Sequence, residues 1–267
     1  MTEVRAKKAL GQHFLTDLNI ARKISDALAA TEGEGGGTLP REVLEVGCGM
    51  GVLTQFLLQR PDIVTYGAEI DRESVAYLRT HFPEFASRRL VEGDFLRMEL
   101  AAHFPRGVRI IGNFPYNISS QIFFKVLENR DRVPECVGMV QREVAVRIAE
   151  PPGSRDYGIL SVLLQAWYDI EYLFTVHEHV FNPPPKVKSA VIRLRRNATQ
   201  RLDCDEALFV RVVKASFGQR RKMLRNALRA AFGDFGGQEH PLFTQRAEQL
   251  SVADFTELTR WVADRMG

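Results

Sequence analysis

Asn113-Phe114-Pro115-Tyr116 is the tetrapeptide of this chain whose groups could do the most specific chemistry. An exocyclic amine on an aromatic base is a poor nucleophile, because its lone pair is delocalised into the ring. A site that acts on one should accept hydrogen bonds from its N–H groups and hold the ring flat. The Asn113 side-chain oxygen and the Phe114 backbone carbonyl can be the acceptors. Pro115 fixes the turn and Tyr116 offers a face for stacking. No general base is required, since the attacking amine is neutral and sheds its proton afterwards. By themselves the four residues fit an ordinary strand-to-turn Asn-x-Pro equally well. The motifs around them decide.

Upstream, EVGCGMG (residues 45–51) closes an apolar run with Gly47, Gly49 and Gly51. Glycines there let the backbone turn sharply and approach a ligand at a helix N-terminus. A dinucleotide fingerprint would read Gly-x-Gly-x-x-Gly. The spacing here, with Glu45 two residues before the first glycine, suits an S-adenosylmethionine loop better than a pyrophosphate cradle. A tight turn without a ligand is the plain alternative. Glu69, in GAEID, lies 18 residues after Gly51, where an acid would grip ribose hydroxyls, and Asp71 is an equal candidate. In Gly93-Asp94-Phe95 a third carboxylate is placed to accept from an adenine amino group.

These groups need strands that end at one edge. Apolar runs at 42–47, 63–70, 88–95, 108–114 and 136–141 read as strands. Between them, 52–59, 71–82 and 118–130 read as helices, the last with Ile122, Val126 and Leu127 at helical spacing. Helical REVAVRIAE and ILSVLLQAWYD follow, then two strand-like runs, IEYLFTVHEHV and SAVIRLR, around the loop FNPPPKVK. Strand–helix alternation predicts βαβ units and a mostly parallel sheet covered on both faces. Beyond Arg196 only helical patterns remain, over 205–232 and 251–266, the latter opened by a Ser251/Asp254 capping box. The expected domains are therefore 1–197 and 198–267. The glycine-rich stretch 31–40 reads as a flexible surface loop.

The 267 residues, 45% hydrophobic and 26% charged, are an ordinary globular composition without an apolar run of membrane-spanning length. The N-terminal MTEVRAKKALGQHFL is basic without an apolar h-region, and Cys48, Cys136 and Cys204 lack disulfide-framework or zinc spacing, so a cytoplasmic protein without a secretory signal or a metal site is expected. The net charge of +3 is unevenly spread: residues 183–230 hold 13 Lys/Arg against 3 Asp/Glu, and the remainder is net acidic. That asymmetry marks one region for a polyanion. Read as one helix, QRRKMLRNALR carries Arg220, Arg221, Lys222, Arg225 and Arg229, with Met223, Leu224, Ala227 and Leu228 as its buried side. Such a helix could clamp phosphates, though a merely solvated face has the same look.

In order along the chain, KKALGQHFLTD, EVGCGMGVLT, AEID, EGDFL, IGNFPYNISS, MVQREVAVRI, VFNPPPKVKSAVIRL and SFGQRRKMLRN resemble the small-subunit (16S) ribosomal RNA adenine N6-dimethyltransferases. The resemblance covers nearly the whole chain. It implies an α/β fold, with a Rossmann-like S-adenosylmethionine-dependent methyltransferase domain and a small C-terminal all-helical RNA-binding domain. It implies cofactor contacts at His13, Leu15, Gly47, Glu69, Asp94 and Asn113. Asn113 and Phe114 would hold the target amine, Tyr116 would stack on its base, and Phe181 would close the other face, unless Phe181 is a core aromatic. RNA contacts fall to Arg220, Arg221, Lys222 and Arg225. The family commonly has Asn where His13 stands, and an imidazole can still donate or accept one hydrogen bond. The implied partner is 16S rRNA, in the small subunit or its precursor, met by a monomeric enzyme that dimethylates two adjacent adenosines in the 3′-terminal hairpin. The competing readings are a 23S rRNA adenine N6-methyltransferase of the erythromycin-resistance type and an assembly factor whose methylation is incidental.

Overall fold

The computed structural model describes residues 4–32, 38–219 and 222–266. Residues 33–37 of the loop read at 31–40, and the proposed RNA ligands Arg220 and Arg221, lie outside the described residues. The chain divides into two compact units, Met1–Ala145 with Ile170–Arg196, and Val146–Asp169 with Asn197–Gly267.

In the first unit the apolar runs become strands of one sheet. They are β1 (Glu42–Val46), β2 (Val64–Glu69), β3 (Leu90–Glu92), β4 (Arg109–Asn113), β5 (Glu135–Gln141), β6 (Tyr168–Val176) and β7 (Ser189–Arg196). Their order is β3-β2-β1-β4-β5-β7-β6. Pairs β1–β2, β1–β4, β2–β3 and β4–β5 are parallel, and β5–β7 is antiparallel. Strands buried on both faces must be apolar throughout, which is why Val43, Leu44, Val46, Ile110 and Ile111 are all inaccessible. From β1 the chain steps outward through β2 to β3, then returns to β4 on the other side of β1. The carboxyl ends of β1 and β4 therefore flank a topological switch point, the place where open α/β sheets bind ligands.

Aspartates fix the helix starts. Asp17 Oδ1 accepts from the Asn19 and Ile20 amides ahead of Leu18–Asp26, and Asp71 accepts from the Glu73 amide ahead of Arg72–His81. One charge pair sits inside the sheet. Arg109 and Glu135, both essentially inaccessible, lie 3.6 Å apart on β4 and β5. Arg109 Nη1 donates to the Ala29 carbonyl at 2.8 Å, and Glu135 accepts from the Ala29 amide at 3.0 Å. The pair thereby ties the segment after Leu18–Asp26 to the sheet, which compensates the desolvation of both charges.

The second unit is helical: Ile159–Gln165, Glu206–Gly218, Leu224–Phe232 and Val252–Ala263. The chain enters this unit first at Val146 and again at Asn197. Residues 146–169, read as part of the first domain, group with these helices because their aromatic side chains pack there. Trp167 meets Phe209 edge-on at 6.1 Å, and Tyr157 lies 6.3 Å from Phe217. The Ser251/Asp254 capping box is present, with Ser251 N donating to Asp254 Oδ2 at 2.8 Å and Asp254 N donating to Ser251 Oγ at 3.1 Å. The helical pattern over 205–232 is two helices, broken between Gly218 and Leu224, with Met223 extended. The break folds the second helix back, so that the Arg211 guanidinium stands 5.3 Å from the Phe232 ring. In one straight helix those residues would be about 30 Å apart. Lys222 consequently precedes the helix instead of lying on it.

Candidate active site

A cavity of about 190 Å³ opens at the switch point. Gly47, Glu69, Asp94 and Asn113, each at or just after the end of one of four strands, line it together. The glycine loop does what its composition allows. Gly47, Gly49 and Gly51 have φ of +77°, +52° and +78°, conformations that other residues adopt only at a cost. The turn aims the Gly49 amide at Glu69, whose Oε2 accepts it at 2.8 Å, while Oε1 accepts the Asp71 amide at 2.8 Å. Burial pushes the Glu69 carboxyl up, and those two amides act against the shift.

Glu69 and Asp71 are separated by their partners. Asp71 is capped by Lys7 Nζ, by Gln12 Nε2 at 3.3 Å and by Ser74 Oγ at 3.2 Å, and it does not line the cavity. Burial works against its charge, yet the hydrogen bonds from Lys7 and Gln12 hold its carboxyl below the usual range. Of the two acids, Glu69 is the one that lines the cavity. Asp94 lines the cavity and uses Oδ1 to accept the Leu96 amide at 2.9 Å.

One wall comes from the N-terminal arm, Leu10 through Leu15, which carries His13 and Leu15. Phe14 and Leu15 pair with Asn182 and Phe181 in a short antiparallel ribbon. Asn113 Nδ2 donates to the His13 carbonyl at 2.9 Å. That bond fixes the amide flip and leaves Oδ1 as an acceptor. His13 Nδ1 lies 2.8 Å from the Pro183 carbonyl, and its ring centroid is 5.2 Å from that of Tyr116. The Tyr116 hydroxyl is hydrogen-bonded to Ser189 Oγ, which anchors the ring at the cavity edge, and burial pushes its ionisation up.

Phe114 is 1% exposed, and its ring meets Phe123, on the helix Ser119–Glu128, edge-on at 5.7 Å. Its amide donates to the Met139 carbonyl at 3.0 Å, and its own carbonyl takes no donor among the described residues. The ring seat exists because Gly112 and Gly138 are register partners on β4 and β5. A Cβ on Gly138 would lie 2.5 Å from Phe114 Cε2. These glycines were missed from the sequence, although glycine inside a strand is a signal of close approach. Replacing Gly138 with alanine is expected to cost about 2 kcal/mol by overpacking. A circular dichroism melt should show Tm lower by about 4–8 °C, and an unchanged Tm would show that the ring is not fixed there.

Phe181 is not brought to the cavity. It is 4% exposed and packs in the core cluster with Leu15, Ile111, Met139 and Val180. The core reading of this aromatic describes its position, because the ribbon pairing to Leu15 turns it inward. In the helical unit, Arg225 is paired with Glu239 at 2.8 Å and Arg229 with Asp234 at 3.4 Å, whereas Lys222 is exposed.

The cavity's electrostatics are one-sided. Glu45, Glu69 and Asp94 line it, and among the described residues its lining contains neither lysine nor arginine. A buried, acid-lined pocket with an apolar wall of Phe14, Leu53, Ile70 and Phe95 suits a ligand that carries positive charge and an aromatic ring.

Comparison with known proteins agrees in order and extent. The family profile described as "Ribosomal RNA adenine dimethylase" matches residues 3–264. "Ribosomal RNA small subunit methyltransferase A" of Porphyromonas gingivalis is 57% identical over 262 residues, covering 97% of this chain and 98% of that protein. Its namesake from Bacteroides thetaiotaomicron is 55% identical, covering 100% and 97%. Among solved structures, a dimethyladenosine transferase from Plasmodium falciparum superposes with a TM-score of 0.76 at 22% identity, covering 95% of this chain and 98% of that one. The 23S rRNA methyltransferase ErmE superposes with a TM-score of 0.64 at 26% identity, covering 92% and 99%. Matched over nearly its whole length, with relatives more than half identical, the chain belongs to the ribosomal RNA adenine dimethylase family.

Proposed function

We propose that this protein is an S-adenosylmethionine-dependent methyltransferase that dimethylates N6 of two adjacent adenosines in the 3′-terminal hairpin of 16S rRNA, within the small subunit or its precursor. The observation that carries the reading is the pair of acceptors at the cavity edge, Asn113 Oδ1 and the Phe114 carbonyl, with Asn113 locked by His13. The names of the small-subunit relatives, at 53–57% identity, favour this substrate over that of the 23S enzyme at 26%.

Gly47, Glu69, Asp94 and the His13–Leu15 arm would hold the cofactor, and the acid-lined cavity fits its net positive charge. When bound, it supplies an electrophilic methyl group. The protein's own part is to present the nucleophile. Asn113 Oδ1 and the Phe114 carbonyl accept from the two N–H groups of the amine, which pulls its lone pair out of conjugation toward the methyl. Tyr116 packs against the base, and Ser189 keeps the phenol from swinging. The arm from Leu10 to Leu15 shields the reacting groups from water. The amine's surplus proton leaves to solvent after transfer.

Nucleoside analysis of 16S rRNA from cells lacking the protein tests the reading. The expected result is loss of both N6,N6-dimethyladenosines and their return on complementation. If both remain, another enzyme makes them and the proposal fails.

RNA is held through phosphates by Lys222 and the adjoining Arg220 and Arg221, with Arg225 contributing less because Glu239 already pairs with it. Replacing Arg220, Arg221 and Lys222 with glutamine is expected to flatten the plot of log affinity against log salt by about 2–3 units, at ~0.7–0.9 per contact. Cofactor affinity should not change. A folded triple variant with the wild-type slope would move the RNA contacts elsewhere, with Lys186 and Lys188 next to be tested.

A further inference from the structure

Glu45, on β1, is one of the residues lining the cavity, and it is 1% exposed. Thr54 Oγ1 donates to its Oε2 at 2.6 Å, and the Cys48 thiol is the other polar hydrogen nearby. On the adjacent strand β2, two residues beyond Gly67, the register partner of Glu45, stands a second lining acid, Glu69. The two differ in how their charge is supported. Glu69 accepts two backbone amides, which favour a carboxylate. The Glu45 carboxyl takes the Thr54 hydroxyl, while the Cys48 thiol donates to the Glu45 backbone carbonyl at 3.8 Å, and among the described residues no lysine or arginine lines the cavity.

The ionised form of Glu45 is therefore disfavoured. Burial pushes its carboxyl up to about 8, and the charge of Glu69 adds to the shift. The Cys48 thiol, raised further by burial and by both carboxyls, stays neutral and offers no compensating charge. The other titratable groups lining the cavity are Asp94, beyond β3, His13, on the N-terminal arm, and Tyr116, whose ionisation burial pushes up.

We propose that Glu45 is the charge sensor of the cofactor pocket: protonated when the pocket is free, it gives its proton to solvent as S-adenosylmethionine enters and then faces the cofactor as a carboxylate. One O–H bond breaks, the proton passes to a buffer base, and one net positive charge replaces it in the cavity. Thr54 is a positioning residue in this exchange, since its hydroxyl points at the oxygen that becomes charged. The inference rests on the cofactor assigned under the proposed function.

Proton linkage then sets how affinity responds to pH. Below about 8 the carboxyl must be deprotonated for binding, so affinity rises with pH up to tenfold per unit and levels above about 8. Calorimetric titration of the full chain with S-adenosylmethionine, in buffers of differing ionisation enthalpy, reads the proton count directly. At pH 7, a group titrating at about 8 is ~90% protonated, so ~0.9 proton should be released per cofactor bound. Release should fade toward zero near pH 9.5.

Glu45→Gln should bind with release close to zero and an affinity flat between pH 6 and 8, and above pH 8 it should bind more weakly than the wild type. Thr54→Val keeps the carboxyl but removes its hydroxyl donor, so the affinity rise should move to higher pH. Circular dichroism confirms folding of both variants. Binding by the wild type without proton release overturns the inference. So does wild-type release in folded Glu45→Gln, which would assign the proton to Glu69 or His13. Absence of binding at every pH is a different result: it sinks the cofactor assignment, and this inference with it.

Discussion

Asn113→Ala is expected to lower methylation by about 10²–10³-fold, the loss typical when one group that stabilises charge in a transition state is removed. The geometry explains why so small a change should matter. The Asn113 amide is not free to flip, because Nδ2 donates to the His13 carbonyl at 2.9 Å. Its Oδ1 is thus presented as an acceptor before the substrate arrives, at no reorganisation cost. RNA affinity should change by less than about twofold, since phosphate contacts elsewhere supply most of it. Cofactor affinity should fall by about fivefold, the worth of the one hydrogen bond that steadies the arm. Asn113→Asp keeps an acceptor oxygen but loses the donor to His13 and adds charge beside that carbonyl, so it should not rescue activity. Single-turnover rates with saturating RNA and cofactor are the measurement. Unchanged turnover in Asn113→Ala would remove the residue from the mechanism.

Glu69→Ala is expected to weaken S-adenosylmethionine binding by about 100-fold or more, equivalent to about 2.7 kcal/mol. Two losses combine. The ribose ligand disappears, and the amides of Gly49 and Asp71, each bonded to Glu69 at 2.8 Å, lose their acceptor. A buried amide without a partner costs about 1–3 kcal/mol, so the glycine loop should loosen as well. Glu69→Gln should be intermediate, because an amide oxygen can serve one of those N–H groups while its NH2 confronts the other. Asp94→Ala should cost less, about tenfold, as its side chain also spends one oxygen on the Leu96 amide. Calorimetry of folded variants gives the constants. If Glu69→Ala and Asp94→Ala both keep wild-type affinity, the cavity at the switch point is not the cofactor site.

Some of the site was legible because its chemistry is local. Gly47, Glu69, Asp94 and Asn113 each stand at or just beyond the end of an apolar run, so reading the strands located the residues. Other parts were misread for want of distant partners. The helical periodicity of 205–232 continues past Gly218, where the first helix ends, because apolar spacing reports which side is buried and not whether the axis bends. Phe181 follows a strand-like run and precedes prolines, a context that a stacking residue and a core residue share.

By itself, the sequence determined the order of strands and helices, the glycine turn and the set of acids that reach one edge of the sheet. A parallel α/β chain returns to the same edge after every helix, so strand-end motifs converge whatever the rest of the molecule does. The tertiary structure alone decided between Glu69 and Asp71, by bringing Lys7 across 64 residues to occupy Asp71. It alone oriented the Asn113 amide, through a carbonyl 100 residues earlier in the chain. It alone set Gly138 beneath the Phe114 ring and left Glu45 in an acid-lined wall where, among the described residues, no lysine or arginine stands. Hydrogen-bond partners, ring seats and local charge are properties of what folding brings together across the chain, and spacing along the sequence does not encode them.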